Sequence, residues 1–225
     1  VSARRLIVWR HGNTAWNHTR RFQGQTDIPL DDVGRAQAAA AAPVLATYSP
    51  AVLVSSDLSR AAQTAAALAE VTGLSPMYDP DLREIDVGSW AGLLVEDVRR
   101  KDGPLYARVE GHDIDARRGG DGETLRELAD RAEKAFRRAL ELGPEGSTVV
   151  AASHGLATKV GIAQLVGLPP EQWGAFGGLD NCAWVIVEPR PDGAGDSSGH
   201  GTDGRSGWRI RGWNLRAPQS PGHDL

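Results

Sequence analysis

Leu6-Ile7-Val8-Trp9-Arg10-His11-Gly12 carries four apolar residues straight into an Arg-His-Gly turn. A second run, Thr148-Val149-Val150-Ala151-Ala152, leads in the same way into Ser153-His154-Gly155. Short continuous apolar runs read as strands buried on both faces, the kind found in parallel sheets covered by helices. In an open α/β sheet the strand ends face the crevice where ligands bind, and a rigid scaffold aims the side chains there. Two histidines at two such exits point to chemistry rather than packing.

Outward from these runs the chain alternates strand and helix. Residues 11–30 read as a long polar loop, after which Asp31 or Asp32 caps a helix reaching about Tyr48. Pro43 lies inside that helix and is expected to kink or shorten it. A strand over 51–55 and a helix over 58–72, closed by Gly73, follow. Residues 77–90 hold a short strand and a turn, 94–101 a short helix, and 103–122 show no clear period. Thr124-Leu125-Arg126-Glu127 is a capping box, and it opens a helix whose Leu125, Leu128, Ala129, Ala132, Ala135, Phe136, Ala139 and Leu140 recur at intervals of three and four. The strand ending near Ala152 feeds a helix towards Val166, and 181–188 and 208–214 read as late strands. Between these, residues 190–207 are rich in Gly, Asp and Ser and read as a flexible hairpin loop, because too few residues follow to build a second core. The expectation is one α/β domain over residues 1–225 with a mostly parallel sheet.

Composition narrows the function class. A chain of 225 residues buries a substantial core without disulfides or metals. Cys182 has no internal partner, and its neighbours Ala183-Trp184-Val185-Ile186-Val187 make it a buried strand residue suited to a reducing compartment. No apolar run approaches the roughly 20 residues that span a bilayer, so a soluble cytoplasmic protein with no membrane partner is expected. A net charge of −4, from 25 Lys plus Arg against 29 Asp plus Glu, argues against a nucleic-acid partner.

Neutral histidine is a competent nucleophile near pH 7, with an ordinary pKa of about 6.5. Attack on phosphorus needs cations around it. Arg10 adjoins His11, and Arg60 sits in Ser55-Ser56-Asp57-Leu58-Ser59-Arg60-Ala61, at the start of a helix directly after a strand. A cation in the first turn opposes the helix dipole unless an anion accompanies it, so Arg60 and the helix N-terminus together read as an anion site. Glu84, in Leu82-Arg83-Glu84-Ile85-Asp86-Val87, is flanked by apolar residues and expected to be partly desolvated. Desolvation raises a carboxyl pKa and suits a general acid. Taken singly, each has a plainer reading: a strand-end histidine is ordinarily a satisfied polar residue, and a lone Glu or Arg belongs to a surface ion pair.

The ordered set of motifs changes that balance. Arg10-His11-Gly12-Asn13-Thr14 with Asn17, Gln23-Gly24 through Asp27-Ile28-Pro29-Leu30, Gly34-Arg35-Ala36-Gln37-Ala38, and Ser55-Ser56 through Arg60 to Gln63-Thr64-Ala65 come first. Glu84 with Gly88 and Gly92, Gly122-Glu123-Thr124, and Ser153-His154-Gly155 complete it. In this order the chain resembles the histidine phosphatase superfamily, the phosphoglycerate-mutase-like proteins. Gly177-Gly178-Leu179-Asp180-Asn181-Cys182-Ala183-Trp184 and Trp208-Arg209-Ile210-Arg211-Gly212-Trp213-Asn214 are similar to segments of its actinobacterial glucosyl-3-phosphoglycerate phosphatase branch.

The resemblance implies a three-layer α/β/α sandwich and a phosphomonoesterase that uses no metal or other cofactor. It implies that His11 attacks phosphorus to form a phosphohistidine, that Glu84 protonates the departing alkoxide, and that water then hydrolyses the intermediate with Glu84 as base. Arg10, Arg60 and an imidazolium at His154 would hold the non-bridging oxygens, with Asn17, Gln23 and the Gly24 backbone as neutral donors. The substrate class is a small phosphorylated metabolite, with glucosyl-3-phosphoglycerate first. A phosphoglycerate mutase, or a phosphatase for another ester such as alpha-ribazole phosphate, is the alternative. Only about thirty-five residues separate Trp90 from Thr124, less than the insertion usual in the mutases, which favours the phosphatase. A homodimer is implied by resemblance alone. Arg117 and Arg118, before Gly119-Gly120, are candidates for a substrate carboxylate, and Trp90, Trp184 and Trp213 for a sugar platform. His18, His112, His200 and His223 lack metal-ligand spacing. The chain departs from the family pattern at Asn13, where Glu or Gln is common, at Pro43 and in the longer 190–207 loop.

Overall fold

The strand β1 (Arg5–Arg10) lies inside the sheet, and Leu6, Ile7, Val8 and Trp9 are all fully buried because helices cover both faces. The computed structural model describes residues 3–191 and 207–218. The expected loop at 190–207 therefore falls almost wholly outside the described residues, as do His200 and His223.

Along the chain β1 is followed by α1 (Ala15–His18), α2 (Asp32–Ala46), β2 (Pro50–Ser55), α3 (Ser59–Thr72) and β3 (Met77–Tyr78). Then come α4 (Val95–Lys101), α5 (Gly103–Glu110), α6 (Leu125–Leu142), β4 (Thr148–Ser153), α7 (Gly155–Leu165), β5 (Trp184–Pro189) and β6 (Trp208–Leu215). The sheet order is β3-β2-β4-β1-β5-β6. β3, β2, β4 and β1 pair in parallel, whereas β5 is antiparallel to β1 and β6 to β5. The expected mostly parallel sheet is therefore present, with an antiparallel hairpin added at one edge.

Alternation along the strands divides the core. Leu6, Val8, Val149, Ala151, Val185 and Val187 pack with α6 and α7 on one face. Ile7, Trp9, Leu53, Val150 and Ala152 pack with α2 and α3 on the other. A third apolar cluster, built on Ile85, Val87, Trp90, Val98, Tyr106 and Leu125, attaches α4 and α5 beside the first turns of α6 and α7. In α6 all eight residues of the three-and-four pattern are buried. Its capping box closes as read, Thr124 Oγ1 accepting from the Glu127 amide at 3.2 Å and Glu127 Oε2 from the Thr124 amide at 2.9 Å.

Pro43 lies inside α2, exposed in its last turn, and the helix ends at Ala46, short of the expected Tyr48. Two local readings need correction. Residues 103–110 form α5, whose one buried side chain, Tyr106, left no period to read. Cys182 is buried but precedes β5, in a left-handed turn at φ 57° that sends its amide to the His11 carbonyl at 3.2 Å.

The turn after β1 is fixed against α2 by close backbone contact. Asp31 caps α2 through the Gly34 amide at 2.8 Å and also accepts from Asn13 Nδ2 at 2.6 Å. Asn13 thus serves as a contact between this loop and the cap of α2. Gly12 and Gly34 face one another: a Cβ on Gly34 would lie 2.1 Å from the Asn13 carbonyl oxygen, and one on Gly12 2.4 Å from that of Gly34. Backbone has no soft side chain to yield there. Gly34→Ala is expected to destabilise the protein by about 1–3 kcal/mol, the scale of overpacking in a filled interior. An unchanged urea midpoint at unchanged m-value would contradict this packing.

Candidate active site

Parallel pairing of β1 with β4 sets Arg10 opposite Ser153, so the next residue of each strand, His11 and His154, emerges at one point of the sheet edge. Their ring centroids are 5.1 Å apart, and both rings are buried. His11 Nδ1 lies 2.7 Å from the Gly12 carbonyl oxygen. A carbonyl only accepts, so Nδ1 carries the proton and the lone pair is on Nε2. His154 has the opposite tautomer. Its Nδ1 accepts from Arg60 Nε at 3.2 Å, and its Nε2 lies 2.9 Å from Ser56 Oγ, to which it donates. Burial first, then the Arg60 charge, pushes both imidazoles well below the ordinary histidine range. The expected imidazolium at His154 is thus a neutral ring in this arrangement.

The two cations differ in depth, Arg60 being buried and Arg10 half-buried. Arg60 is fully buried in the first turn of α3, and donates to the Gly24 carbonyl at 2.7 Å and that of Thr26 at 2.9 Å. Its guanidinium is lowered to about 10, chiefly by burial. The anion that offsets the helix dipole there is Asp27, which accepts from both the amide and the hydroxyl of Ser59 at 2.7 Å. Arg10 donates through Nη1 to the Leu179 carbonyl, while its buried Nε finds no acceptor. A buried N–H without a partner is costly and marks a place where an acceptor is wanted. Thr64 joins the two walls, accepting from the Gly12 amide at 3.1 Å and donating to the Arg60 carbonyl at 2.7 Å.

Glu84 enters from the segment between β3 and α4, but not into the apolar surroundings expected of it. Its Oε1 accepts from the amides of Ile85 and Ala157, and its Oε2 from that of Leu156, each at 3.0 Å. The last two belong to the first turn of α7, which begins at Gly155 next to His154. The carboxylate therefore caps the helix that follows the second histidine.

Arg10, His11, Arg60 and Glu84 line one cleft of about 420 Å³ with Asn17, Gln23, Gly24 and Arg118, while His154 is absent from that lining and stands against His11 and Arg60. Asn17 closes the capping box of α1, its Oδ1 accepting from the Thr14 amide at 3.1 Å, and Gln23 Oε1 accepts from Thr14 Oγ1 at 3.1 Å. Of the arginine pair the structure brings only Arg118 to the cleft. It is buried, held through the Ala116 carbonyl at 3.2 Å, and lowered to about 10 by burial. Arg117 points outward onto Glu127 of the α6 cap at 2.7 Å. None of the three expected tryptophans reaches the cleft: Trp90 stacks between Phe22 and Tyr106, Trp184 is in the sheet core, and Trp213 lies against Phe176.

The sequence reading missed Trp16, Arg20, Arg21 and Phe22, which form the outer wall with Val95 and Val109. Their signal was a basic, aromatic stretch inside a region read only as polar loop. Among the described residues no cluster of three or more His, Cys, Asp or Glu side chains is placed to hold a metal ion, and no helix is long and apolar enough to cross a membrane.

The profile of the histidine phosphatase superfamily (branch 1) matches residues 6–195, and the chain belongs to that family. It is 38% identical over 223 residues to a glucosyl-3-phosphoglycerate phosphatase of Mycolicibacterium vanbaalenii, covering 96% of this chain and 97% of the relative. A probable phosphoglycerate mutase of Yersinia enterocolitica is 36% identical, with 97% and 94% covered. Among solved structures, a mycobacterial glucosyl-3-phosphoglycerate phosphatase in complex with VO3 is 35% identical and superposes with a TM-score of 0.81. That alignment covers 94% of this chain and 99% of the solved one.

The buried neutral imidazoles make stability depend on pH. A histidine whose folded pKa is depressed contributes fully above its unfolded value near 6.5, and the contribution is lost as pH falls towards the folded value. His11 and His154 should together make the melting temperature level above pH 7 and falling from about pH 6.5 downward. Each would contribute a slope of up to about 1.4 kcal/mol per pH unit. His154→Gln should flatten that acid limb; an identical limb in the variant would show that His154 is not held neutral.

Proposed function

We propose that the chain is a metal-independent phosphomonoesterase working through a phosphohistidine on His11, with glucosyl-3-phosphoglycerate as its substrate. The observation that carries the reading is the tautomer of His11: its free Nε2 is held near the buried Arg60 and the half-buried Arg10, whose buried Nε has no acceptor. As the His11 Nε2–P bond forms and the P–O bond breaks, Arg10 and Arg60 neutralise the phosphoryl oxygens, and Glu84 delivers a proton to the leaving oxygen. Water then attacks phosphorus, Glu84 takes its proton, and His11 departs. Fixed guanidinium charges supply the electrostatic stabilisation that a divalent cation gives elsewhere. His154, neutral and accepting from Arg60 Nε, holds that guanidinium beside the phosphoryl oxygens. Asn17, Gln23 and the Gly24 backbone border the same oxygens, and Arg118 is positioned for a second anionic group.

The substrate is supported by the full-length likeness to glucosyl-3-phosphoglycerate phosphatases. The second reading, a phosphoglycerate mutase, draws on the probable mutase at similar identity. In a coupled assay the phosphatase releases inorganic phosphate, and isomerisation without release would select the mutase. The same reading takes residues 1–225 as one domain, in the cytoplasm, as a homodimer; equilibrium sedimentation checks the last.

His11→Ala should reduce phosphate release by at least about 10³-fold, as loss of a covalent nucleophile does. Exhaustive chelation should leave the rate unchanged; a loss restored by a divalent cation would refute the metal-free chemistry. Arg118→Met should raise KM for a phosphorylated acid far more than for the phosphate ester of an uncharged alcohol. Arg117→Ala should leave both alone, and the reverse pattern would exchange the two assignments.

A further inference from the structure

The segment that carries Glu84 has little secondary structure of its own. Residues 83–87 pair with no strand, and only Pro80–Leu82 before them form a helical turn. Three of the segment's carbonyls instead turn towards one side chain on α6. Arg131 Nη1 donates to the carbonyls of Asp81 at 2.9 Å and Arg83 at 2.7 Å, and Nη2 donates to that of Glu84 itself at 2.8 Å.

The guanidinium is fixed from behind. Arg131 Nε and Nη2 each lie 2.7 Å from one oxygen of Glu123, a bidentate pair spanning two helical turns, with both side chains largely buried. Glu123 also holds the far end of the segment. Its Oε2 accepts from the Asp86 amide at 2.8 Å, and its own amide donates to the Asp86 carbonyl at 2.8 Å. Residues 81–86 are thereby clamped at both ends by a single ion pair on α6 and its N-terminal flank.

We infer that Arg131, fixed by Glu123, is the positioning residue that aims the Glu84 carboxyl at the leaving oxygen. The inference rests on the proposed role of Glu84 as acid. Arg131 touches only backbone of the Glu84 segment and its Glu123 partner, and it is absent from the cleft lining. Its effect is on where the acid stands. When the phosphoryl group moves to His11 Nε2, the electron pair of the broken P–O bond stays on the leaving oxygen. An alkoxide needs the Glu84 proton at that moment, whereas a nitrophenolate leaves without it. A displacement of about 1 Å at the acid costs on the order of 10²-fold.

Arg131→Lys tests this. One ammonium cannot span Glu123 and three carbonyls together. Single-turnover alcohol release is measured for two substrates, glycerol 3-phosphate and p-nitrophenyl phosphate, alongside the melting temperature and KM. The expected result is a loss of roughly 10- to 100-fold in the rate for the alkyl ester, and less than about 3-fold for the aryl ester, with KM for both little changed. Glu123→Gln, which keeps the shape but removes the charge fixing Arg131, should show the same selectivity at smaller size, and it serves should Arg131→Lys not fold. Equal losses on both esters would mark a merely structural role and overturn the inference, as would an undiminished alkyl rate. Glu84→Gln separates the two claims: if it too lacks the leaving-group dependence, the assignment of Glu84 as acid fails, and if it alone has it, only the assignment of Arg131 fails.

Discussion

Everything at the site depends on the parallel register of β1 and β4. Because the two strands run side by side with Arg10 opposite Ser153, one backbone pairing decides that the two imidazoles meet. A one-residue slip would turn each buried face of β1 inside out and separate the rings. The register is held by apolar side chains on both faces of the sheet, so the energy that folds the domain is the same energy that assembles the site.

Around that pair, charge is managed by burial and fixed partners rather than by solvent. The cleft gathers five arginines, Arg10, Arg20, Arg21, Arg60 and Arg118, against a single carboxylate, Glu84. Three of them are drawn down from the ordinary arginine range by burial, which measures how much the positive charge is missing water. A desolvated cation is a strong ligand for a dianion, because no hydration shell must be removed when it binds. The carboxylate in turn is met by the free amides of α7, and that helix starts at the residue after His154.

The sequence disclosed those parts of this arrangement that are written locally. Strand-end histidines, the capping box at Thr124 and the helix start at Arg60 are each visible in a few consecutive residues. The outer wall was not, since Trp16 and Phe22 are brought to Val95 and Val109 by tertiary packing and neither lies in a periodic segment. Which of Arg117 and Arg118 turns inward depends on the backbone path through Gly119 and Gly120, both with positive φ, and on the capture of Arg117 by Glu127. Arg131 was illegible for a different reason. On a helical wheel it is an ordinary arginine at the edge of the polar face, and only the position of a distant irregular segment gives its donors their acceptors. The resemblance supplied the acid role of Glu84, while the amides that surround it contradict the desolvated pocket inferred from its neighbours.

The close approach of Gly12 to Gly34 leaves the turn that bears His11 no room to move. A reaction centre with so stiff a floor cannot admit substrate and discharge product by opening that floor. The opposite rim is tied as well, the stretch containing Trp16 and Phe22 meeting the approach to α4 through the bridge of Arg21 with Leu94, the Phe22 amide on the Leu93 carbonyl at 3.0 Å and the Gly92 amide on the Phe22 carbonyl at 2.8 Å. The nucleophile thus stands on a floor set by backbone packing and faces a rim set by backbone hydrogen bonds.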